Sequence, residues 1–171
     1  MTEIDIQTLP YRQGVGICLL NRQGLVLMAE RRDSPGSWQM PQGGVNKGED
    51  PSLAVLREMK EEIGTDHARI LEKYSEKLRY EFPDWLQNRR TFRGKYRGQE
   101  QEWFALLFLG EESDIDLSGA HEPENPEFIA WKWVDLSETP HLIVPFKKKI
   151  YETIATAFAP LASSLRSGTI S

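Results

Sequence analysis

The sequence predicts an α/β fold in which helices pack on a β-sheet, with an α+β sandwich as the alternative. Three observations support this prediction: apolar segments at residues 14–20 and 25–32, an amphipathic helical pattern at residues 51–63, and a second one at residues 145–160. Strands that are interrupted by well-separated helices are typical of layered domains. The chain of 171 residues is long enough for one such domain. We therefore expect a single domain at residues 1–160.

The first half of the chain predicts two strands, a loop and a helix. The segments GVGICLL and LVLMAERR flank the turn sequence NRQG and predict a pair of strands. The next segment, WQMPQGG, contains one proline and two glycines and predicts a loop. Asp50 is a favourable N-cap, Pro51 suits the first helical position, and Gly64 is a natural end for the helix.

The second half predicts further strands and a closing helix. Residues 68–82 predict one strand or two, residues 84–101 a long polar loop, and residues 102–110 and 128–135 two more strands. The closing segment PFKKKIYETIATAFAP has apolar residues four positions apart, as an amphipathic helix does. Residues 161–171 are small and polar, and we expect a disordered tail there.

Composition and charge exclude several classes of protein. A formal net charge of −5 argues against a protein that coats nucleic acid along its length, but it permits binding of one phosphorylated end. Cys18 is the one cysteine, so no internal disulfide can form and a reducing compartment is expected. The N-terminal segment lacks the pattern of a signal peptide, and no apolar run reaches the length of a bilayer. We therefore predict a cytoplasmic protein without a membrane partner.

The predicted first helix carries three glutamates close together, Glu58, Glu61 and Glu62. Like charges three or four positions apart on a helix destabilise it by about 0.2–0.5 kcal/mol per pair. The helix macrodipole also disfavours negative charge at this C-terminal end. Clustered carboxylates suit a hard cation such as Mg²⁺, which takes oxygen ligands. The glutamates alone leave a second interpretation open, an acidic face that is simply solvated.

The surroundings of these glutamates match a known motif. From Gly43 the chain reads GGVNKGEDPSLAVLREMKEEIGT, which resembles the Nudix box, G-x5-E-x7-R-E-U-x-E-E-x-G-U, where U is a bulky aliphatic residue. The matching positions are Gly43, Glu49, Arg57, Glu58, Glu61, Glu62 and Gly64. Thr65 departs from the motif at its last position, which affects packing rather than chemistry.

The resemblance to Nudix hydrolases implies a fold and a reaction. It implies an α/β/α sandwich with a mixed central sheet, in which the box forms a loop, a helix and a loop. It also implies hydrolysis of a pyrophosphate bond with Mg²⁺, for which Mn²⁺ or another divalent cation can substitute. Such hydrolysis needs neutralised phosphate charge and an activated water, which metal ions held by carboxylates can supply.

The resemblance also implies roles for residues of the box. Glu58 and Glu62 match the core metal ligands, and Glu61 matches a further ligand or the general base. Gly43 matches a residue whose backbone carbonyl often binds metal. Arg57 matches the arginine that orients the neighbouring glutamates and is grouped with the catalytic residues, and Glu49 matches a structural or outer position.

A wider resemblance runs from about residue 11 to residue 158. YRQGVGICLLN, SWQMPQGG, GQEQEWF and NPEFIAWKWV are similar to bacterial RNA pyrophosphohydrolases and the related dinucleoside polyphosphate hydrolases. It implies that Glu127 is another metal ligand. The substrate-binding positions that it implies, along the phosphate path and around a base, are Arg12, Arg32, Ser37, Val144, Phe146 and Lys147.

Two stretches have a plain structural alternative. Val144 and Phe146 sandwich a base in the relatives, but at the start of a helix they can equally be core residues. RRTFRGKYRG, at residues 89–98, holds five basic residues that can contact polyphosphate or RNA, or can form a solvated loop. Glu100 and Glu102 stand where relatives often have lysines, which argues against phosphate contacts there.

Two enzymatic functions therefore compete. The favoured one removes phosphates from the 5′-triphosphate end of RNA, as in mRNA decay, and leaves a 5′-monophosphate. The alternative is asymmetric hydrolysis of dinucleoside polyphosphates such as diadenosine tetraphosphate. A housecleaning nucleotide pyrophosphatase and a non-catalytic nucleotide sensor rank below both, because the box is intact and the chain leaves no room for a second domain. We expect a monomer or a weak homo-oligomer.

Overall fold

A mixed β-sheet with helices on both faces forms the centre of the protein in the computed structural model, which describes residues 5–87, 94–118 and 126–170. The eight strands found in these residues are β1 Tyr11–Leu20, β2 Val26–Arg31, β3 Trp38–Gln39, β4 Gln42–Gly44, β5 Ala68–Lys73, β6 Leu78–Glu81, β7 Gly98–Phe108 and β8 Phe128–Val134. The α-helices are α1 Pro51–Ile63, α2 Asp84–Gln87, α3 Thr139–Leu142 and α4 Lys148–Arg166. This arrangement confirms the predicted α/β class.

Strands β1 and β7 run parallel through the middle of the sheet, in register from Tyr11 opposite Gly98 to Leu20 opposite Leu107. The other edge of β1 pairs antiparallel with β4 and, at its end, with β2. Strand β2 then carries β3 and β8, while the far edge of β7 carries β5 and β6. The box loop, as β4, is therefore hydrogen-bonded directly to the central strand.

The sheet separates two hydrophobic cores, because side chains alternate between its faces. Cys18 and Leu20 of β1 lie in the core that α4 covers with Tyr151, Ile154 and Phe158. The alternate residues of β1, Val15, Ile17 and Leu19, lie in the second core. Helix α1 covers this core with Ala54, Val55, Met59 and Ile63. Strand β1 is thus apolar on both faces, which explains why its sequence is a continuous apolar run.

Helix α1 begins and ends where its sequence predicts. Asp50 accepts a hydrogen bond from the Ser52 backbone N–H at 2.8 Å, and Pro51 occupies the first helical position. Gly64 ends the helix in the left-handed conformation, with φ of 81°. A residue without Cβ adopts this conformation without steric cost.

The predicted long loop at residues 84–101 is confirmed for residues 94–97 but is wrong at both of its ends. Asp84–Gln87 forms the short helix α2, and β7 begins at Gly98 rather than near residue 102. The polar residues that open β7 pair with β1 on one side and β6 on the other, so their backbone groups are satisfied within the sheet. The predicted loop WQMPQGG likewise contributes the short strands β3 and β4.

The predicted disordered tail is wrong for residues 161–166. Helix α4 continues to Arg166 with Pro160 inside it, and Ala162 and Leu165 are buried in the core beneath it. Their spacing from Phe158, four and seven residues, keeps them on the buried face of the helix. Among the residues that the structure describes, no helix combines the length and the apolar character needed to cross a membrane.

Candidate active site

Helix α1 presents its three glutamates beside the buried face that anchors it. Glu58 and Glu62 lie one turn apart, and their side chains line a cavity between the helix and the sheet. Glu61 is more exposed, with 31% of its side chain accessible against 12% for Glu58. The helix therefore divides its carboxylates between the cavity wall and the solvent edge.

Arg57 connects the helix to the loop before it. Its Nε and Nη2 donate to the two carboxylate oxygens of Glu49, each at 2.8 Å, and Nη2 also donates to the backbone oxygen of Gly44 at 2.8 Å. Nη1 donates to Glu58 at 2.8 Å and to Glu61 at 3.3 Å. These contacts use all five guanidinium N–H groups, a pattern that lysine could not reproduce.

Glu49 acts within this arrangement as a structural carboxylate. Its paired hydrogen bond with Arg57, together with the backbone N–H of Asn46, lowers the pKa of Glu49 to about 2. The charged form is therefore the one that holds the loop against the helix. This geometry agrees with the structural position that the motif implies for Glu49.

Gly43 permits the close approach of the Glu58 carboxylate to strand β4. A Cβ atom at Gly43 would lie 2.0 Å from Cδ of Glu58 and 2.1 Å from its Oε2. Burial raises the pKa of Glu58, and the adjacent Arg57 lowers it in part. The glycine of the motif therefore has a steric reason here, which is space for a buried carboxylate.

Glu62 is the most isolated carboxylate of the group. Its Oε2 is shielded from solvent and accepts no hydrogen bond from any described residue. Burial, followed by the charges of Glu127 and Glu58, raises the pKa of Glu62 well above its usual value. A buried oxygen without a donor is costly unless a cation or a proton compensates it.

Glu127 reaches the cavity from the loop before β8, where Arg31 contacts it. Arg31 Nη1 lies 3.1 Å from the Glu127 carboxylate, and the same guanidinium binds Asp33 through two contacts of 2.9 Å. Arg31 lines the cavity, whereas Arg32 is exposed and does not. The backbone N–H of Arg32 donates to the backbone oxygen of Glu127 at 3.0 Å, and the assignment of its side chain to the phosphate path stays a prediction. The pairing of β2 with β8 shifts at Arg31, and such irregularities redirect side chains.

One cavity of about 470 Å³ collects most of the predicted site. Its lining includes the predicted residues Arg12, Ser37, Gly43, Glu58, Glu62, Glu127, Val144, Phe146 and Lys147. Arg57 lies outside this lining and contacts it through Glu58, and Glu61, also outside the lining, contacts Arg57. Residues that the sequence interpretation missed also line it, chiefly Arg31, Gln42, Tyr80, Trp85 and Gln99.

An aromatic cluster lines part of the cavity. The ring of Phe146 lies 5.7 Å from that of Tyr80 and 6.0 Å from that of Trp85, measured between centroids. Phe146 is only partly buried and Trp85 is 57% exposed, so ring surface remains accessible at the mouth. An exposed tryptophan in a polar segment is the signal from which Trp85 could have been recognised.

Lys147 lies at the base of this aromatic cluster. Its Nζ is 5.1 Å from the ring centroid of Tyr80 and 3.4 Å from the side-chain oxygen of Gln42. Burial, followed by the charge of nearby Arg31, lowers the pKa of Lys147 to about 8, against the opposing charges of Glu127 and Glu62. A buried lysine facing a cavity is a candidate partner for an anion.

The predicted basic loop is only partly described. Residues 89–93 lie outside the described residues, so the prediction for them stays a prediction. Arg97 hydrogen-bonds to Glu81 and Gln7 and stacks over Tyr11, with 4.9 Å between Cζ and the ring centroid. Its guanidinium therefore has structural partners and does not line the cavity.

Glu100 and Glu102, the predicted departures from the relatives, pair with basic residues of neighbouring strands. Glu100 binds Arg79, and Glu102 lies 2.6 Å from Nζ of Lys73. The two acidic residues are therefore compensated within the sheet, as expected for cross-strand pairs of opposite charge.

The mixed sheet, the capped box helix and its carboxylate cavity together define a Nudix domain. The sequence model of that domain matches residues 10–154, and the chain belongs to the Nudix family of hydrolases. Among curated relatives, an RNA pyrophosphohydrolase of Rhodospirillum rubrum is 50% identical over 154 residues, which is 90% of both chains. An RNA pyrophosphohydrolase of Brucella abortus is 43% identical over 168 residues, which is 94% of both.

Solved structures with the same fold are more distant in sequence. The dihydroneopterin triphosphate pyrophosphohydrolase of E. coli superimposes with a TM-score of 0.66 at 23% identity, covering 86% of this chain and 99% of that one. An Ap4A hydrolase of C. elegans superimposes with a TM-score of 0.60 at 22% identity, covering 87% and 98%. At this level of identity the similarity establishes the fold alone.

Nudix hydrolases generally need divalent cations, and the donor set of the cavity fits such a group. Carboxylate oxygens are the ligands that hard cations prefer. The buried Oε2 of Glu62 accepts no hydrogen bond from any described residue, so it is available to bind such a cation. Within the described ranges, no three acidic, histidine or cysteine side chains converge on one point. Arginines are the nearest partners of the other carboxylates, Arg57 for Glu58 and Arg31 for Glu127.

Proposed function

We propose that this protein removes phosphates from the 5′-triphosphate end of RNA and leaves a 5′-monophosphate, with Mg²⁺ as its cation. The observation that carries the proposal is a single cavity lined both by carboxylates and by accessible aromatic rings. A cation-bound polyphosphate joined to a nucleobase offers the chemistry that both kinds of group can bind. The RNA pyrophosphohydrolases at 43–50% identity support the choice of RNA.

Basic residues of the cavity bind the polyphosphate in this proposal. Arg12 and Lys147 both line the cavity, and Ser37 adds a hydroxyl donor. Charge-assisted hydrogen bonds to phosphate are about twice as strong as neutral ones. Although the chain is acidic overall, these groups give the cavity a local affinity for anions.

The aromatic cluster binds a base near the 5′ end. Val144 and Phe146 both line the cavity, and Trp85 lies against Phe146. Stacking of a base on an aromatic ring contributes about 1–3 kcal/mol and tolerates any base. These contacts favour a nucleic acid end over free inorganic polyphosphate.

Glu58, Glu62 and Glu127 would hold the cation, with the backbone oxygen of Gly43 and with Glu61 as further candidate ligands. When bound, the cation neutralises phosphate charge and activates water for attack on the phosphorus. We assign proton abstraction from that water to Glu61. Its only side-chain partner among the described residues is Arg57, so one carboxylate oxygen remains open to solvent. Arg57 donates hydrogen bonds to the carboxylates of both Glu58 and Glu61 and so fixes their positions relative to each other.

Location and assembly are part of the same proposal. The buried thiol of Cys18 suits the reducing cytoplasm, where primary transcripts are made. We propose a monomer or weak homo-oligomer. Analytical ultracentrifugation at micromolar concentration measures this directly, and a tight oligomer would contradict it.

The first experiment is a competition between two substrates. A short RNA with a 5′-triphosphate and diadenosine tetraphosphate are mixed at equal concentration, and kcat/KM is measured for each with Mg²⁺ and again with Mn²⁺. We expect a clear preference for RNA, and release of pyrophosphate or phosphate that leaves a 5′-monophosphate. A preference for the dinucleotide would instead make the protein a dinucleoside polyphosphate hydrolase and make the aromatic cluster an adenine site.

A further inference from the structure

A chain of hydrogen-bonded side-chain amides links the buried core to the cavity. The indole N–H of Trp103 donates to Oε1 of Gln101 at 3.1 Å, and Nε2 of Gln101 donates to Gln42 at 3.0 Å and to Gln99 at 3.1 Å. Trp103, Gln101 and Gln99 are at most 5% exposed. Gly16 lies opposite Trp103 in the parallel register, and a Cβ there would lie 2.3 Å from the indole. The indole therefore has one tightly packed position.

The direction of this chain follows from the chemistry of its buried end. An indole N–H is a donor and never an acceptor, so the atom of Gln101 that faces Trp103 must be its carbonyl oxygen. The N–H2 group of Gln101 then donates to Gln42 and Gln99. The accepting atom of each must be its side-chain carbonyl oxygen. Both outer amides are thereby oriented with their oxygens inward. Their N–H2 groups are the ends left to face the cavity, which both residues line.

A second group sets the same orientation at Gln42 independently. The ammonium of Lys147 is also a donor only, and its Nζ lies 3.4 Å from the same oxygen of Gln42. Two donors, Nε2 of Gln101 and Nζ of Lys147, thus share the oxygen of Gln42. The N–H2 group of Gln42, which lines the cavity, is the end that they leave free.

We propose that Trp103 and Gln101 are positioning residues that orient Gln42 and Gln99, so that two amide N–H2 groups are presented to oxygen acceptors of the substrate. The inference rests on the proposed function, since it concerns the same cavity. Phosphate oxygens are the first candidates, because Gln99 lies opposite Arg12 in the sheet and Gln42 donates its backbone N–H to Glu62. A carbonyl oxygen of a nucleobase offers the same acceptor chemistry.

The orientation matters because a glutamine side chain has two ends of opposite polarity. Unconstrained, the amide can rotate by half a turn and place its carbonyl oxygen against the substrate, where oxygen repels oxygen. A network that is satisfied in only one direction excludes this state before substrate arrives. Preorganised donors of this kind bind without paying for reorientation.

The direct test is an NMR titration of ¹⁵N-labelled protein in which the side-chain amide signals of the three glutamines are followed. Inorganic tripolyphosphate and guanosine are added separately, without divalent cation. We expect tripolyphosphate to shift the Gln42 and Gln99 side-chain signals, while the Gln101 signal stays protected from exchange with water. Shifts with guanosine alone would assign the donors to a base carbonyl. Binding that moves only backbone signals of the cavity, or no binding of either probe, overturns the inference.

Variants test the positioning role through kinetics. Trp103→Phe removes the indole donor, and Gln101→Met removes both amide groups at nearly the same length. For triphosphorylated RNA we expect either change to raise KM about threefold to tenfold, as for the loss of one or two hydrogen bonds, with kcat within about twofold. Trp133→Phe is the matched control, because its indole N–H donates to Glu112 outside the cavity.

The outcomes separate a positioning role from a structural one. A lower Tm with unchanged KM in Gln101→Met would make the amide chain a core feature and overturn the inference, even if Trp103→Phe fails to fold. Absence of RNA hydrolysis in the wild-type protein would instead refute the proposed function. The tripolyphosphate titration would still decide the orientation of Gln42 and Gln99 in that case.

Discussion

Gly43 shows how a residue without a side chain shapes the site. The space that its missing Cβ leaves is filled by the carboxylate of Glu58, and the conflicting atoms belong to a flexible side chain rather than to backbone. A methyl group there would therefore displace the carboxylate and leave the strand in place. The glycine of the motif is thus a requirement of the site more than of the fold.

Gly43→Ala tests this requirement. We expect the variant to keep its Tm within a few degrees and to lose about tenfold to hundredfold in kcat/KM, as when the support of a metal ligand is disturbed. Circular dichroism and RNA hydrolysis measure the two effects, with Glu58→Gln as the comparison. Full activity in Gly43→Ala would show that the close contact is unimportant.

Glu61 differs from its neighbours in being near the solvent edge and in having only a long contact with Arg57. We expect Glu61→Gln to fold normally and to lose nearly all hydrolysis, because the amide cannot accept a proton from water. The measurement is single-turnover hydrolysis in Mg²⁺ alongside thermal unfolding. Wild-type turnover would falsify the assignment of Glu61 as the base.

At the scale of elements, the loop before α1 is joined to the helix by the paired contact of Glu49 and Arg57. The folded-state pKa of Glu49 is about 2, which is below the value of about 4.3 for an unfolded glutamate. Because the folded pKa is depressed, the stabilisation is fully present above about pH 5 and is lost as the pH falls toward 2.

Glu49→Gln removes this pH dependence, since the amide does not titrate. We expect the variant to have a lower Tm than wild type at pH 6, and the difference to shrink steadily as the pH is lowered to 3. Differential scanning calorimetry measures the Tm, and Glu152→Gln, an exposed carboxylate of α4, is the matched control. A difference that stays constant over this range would contradict the role of Glu49.

The end of α4 is held by its apolar face and by the turn between β1 and β2. Leu165 is 3% exposed, and Arg166 donates to the backbone oxygen of Gly24 at 3.4 Å. We expect Leu165→Ala to destabilise the protein by about 2–3 kcal/mol and to lower the Tm by about 4–12 °C. Ser163→Ala, on the exposed side of the same turn, should leave the Tm nearly unchanged. Equal Tm values for the two variants would mean that the tail does not pack.

At the scale of the whole molecule, the cavity joins segments that are far apart in the chain. Phe146 precedes α4, while the rings that it contacts belong to β6 and α2. We expect Phe146→Ala to raise KM for triphosphorylated RNA about tenfold, within the range for loss of one base stack, and to affect a nucleoside triphosphate less. Ile129→Ala, an exposed apolar residue outside the cavity, is the control. An equal rise in KM for both substrates would mean that Phe146 packs in the core and does not bind a base.

Predictions from the sequence succeeded where the determinants are local. The caps at Asp50 and Gly64 and the spacing of the α1 glutamates depend only on neighbours within a turn or two of helix. The end of α4 was missed because small polar residues conceal the wider spacing of Ala162 and Leu165. The start of β7 was missed because its strand character comes from pairing with two neighbours rather than from apolar residues.

The sequence by itself determined the order of the longer strands and helices, the box helix and its carboxylates, and hence the class of chemistry. Only the tertiary structure decided that the Arg31 side chain contacts the Glu127 carboxylate, that Trp85 and Tyr80 join Phe146, and that buried Trp103 is linked through Gln101 to the cavity amides. The reason is physical. Strand register and bulges set which face each side chain occupies, and they arise from pairing between distant segments that no local pattern encodes.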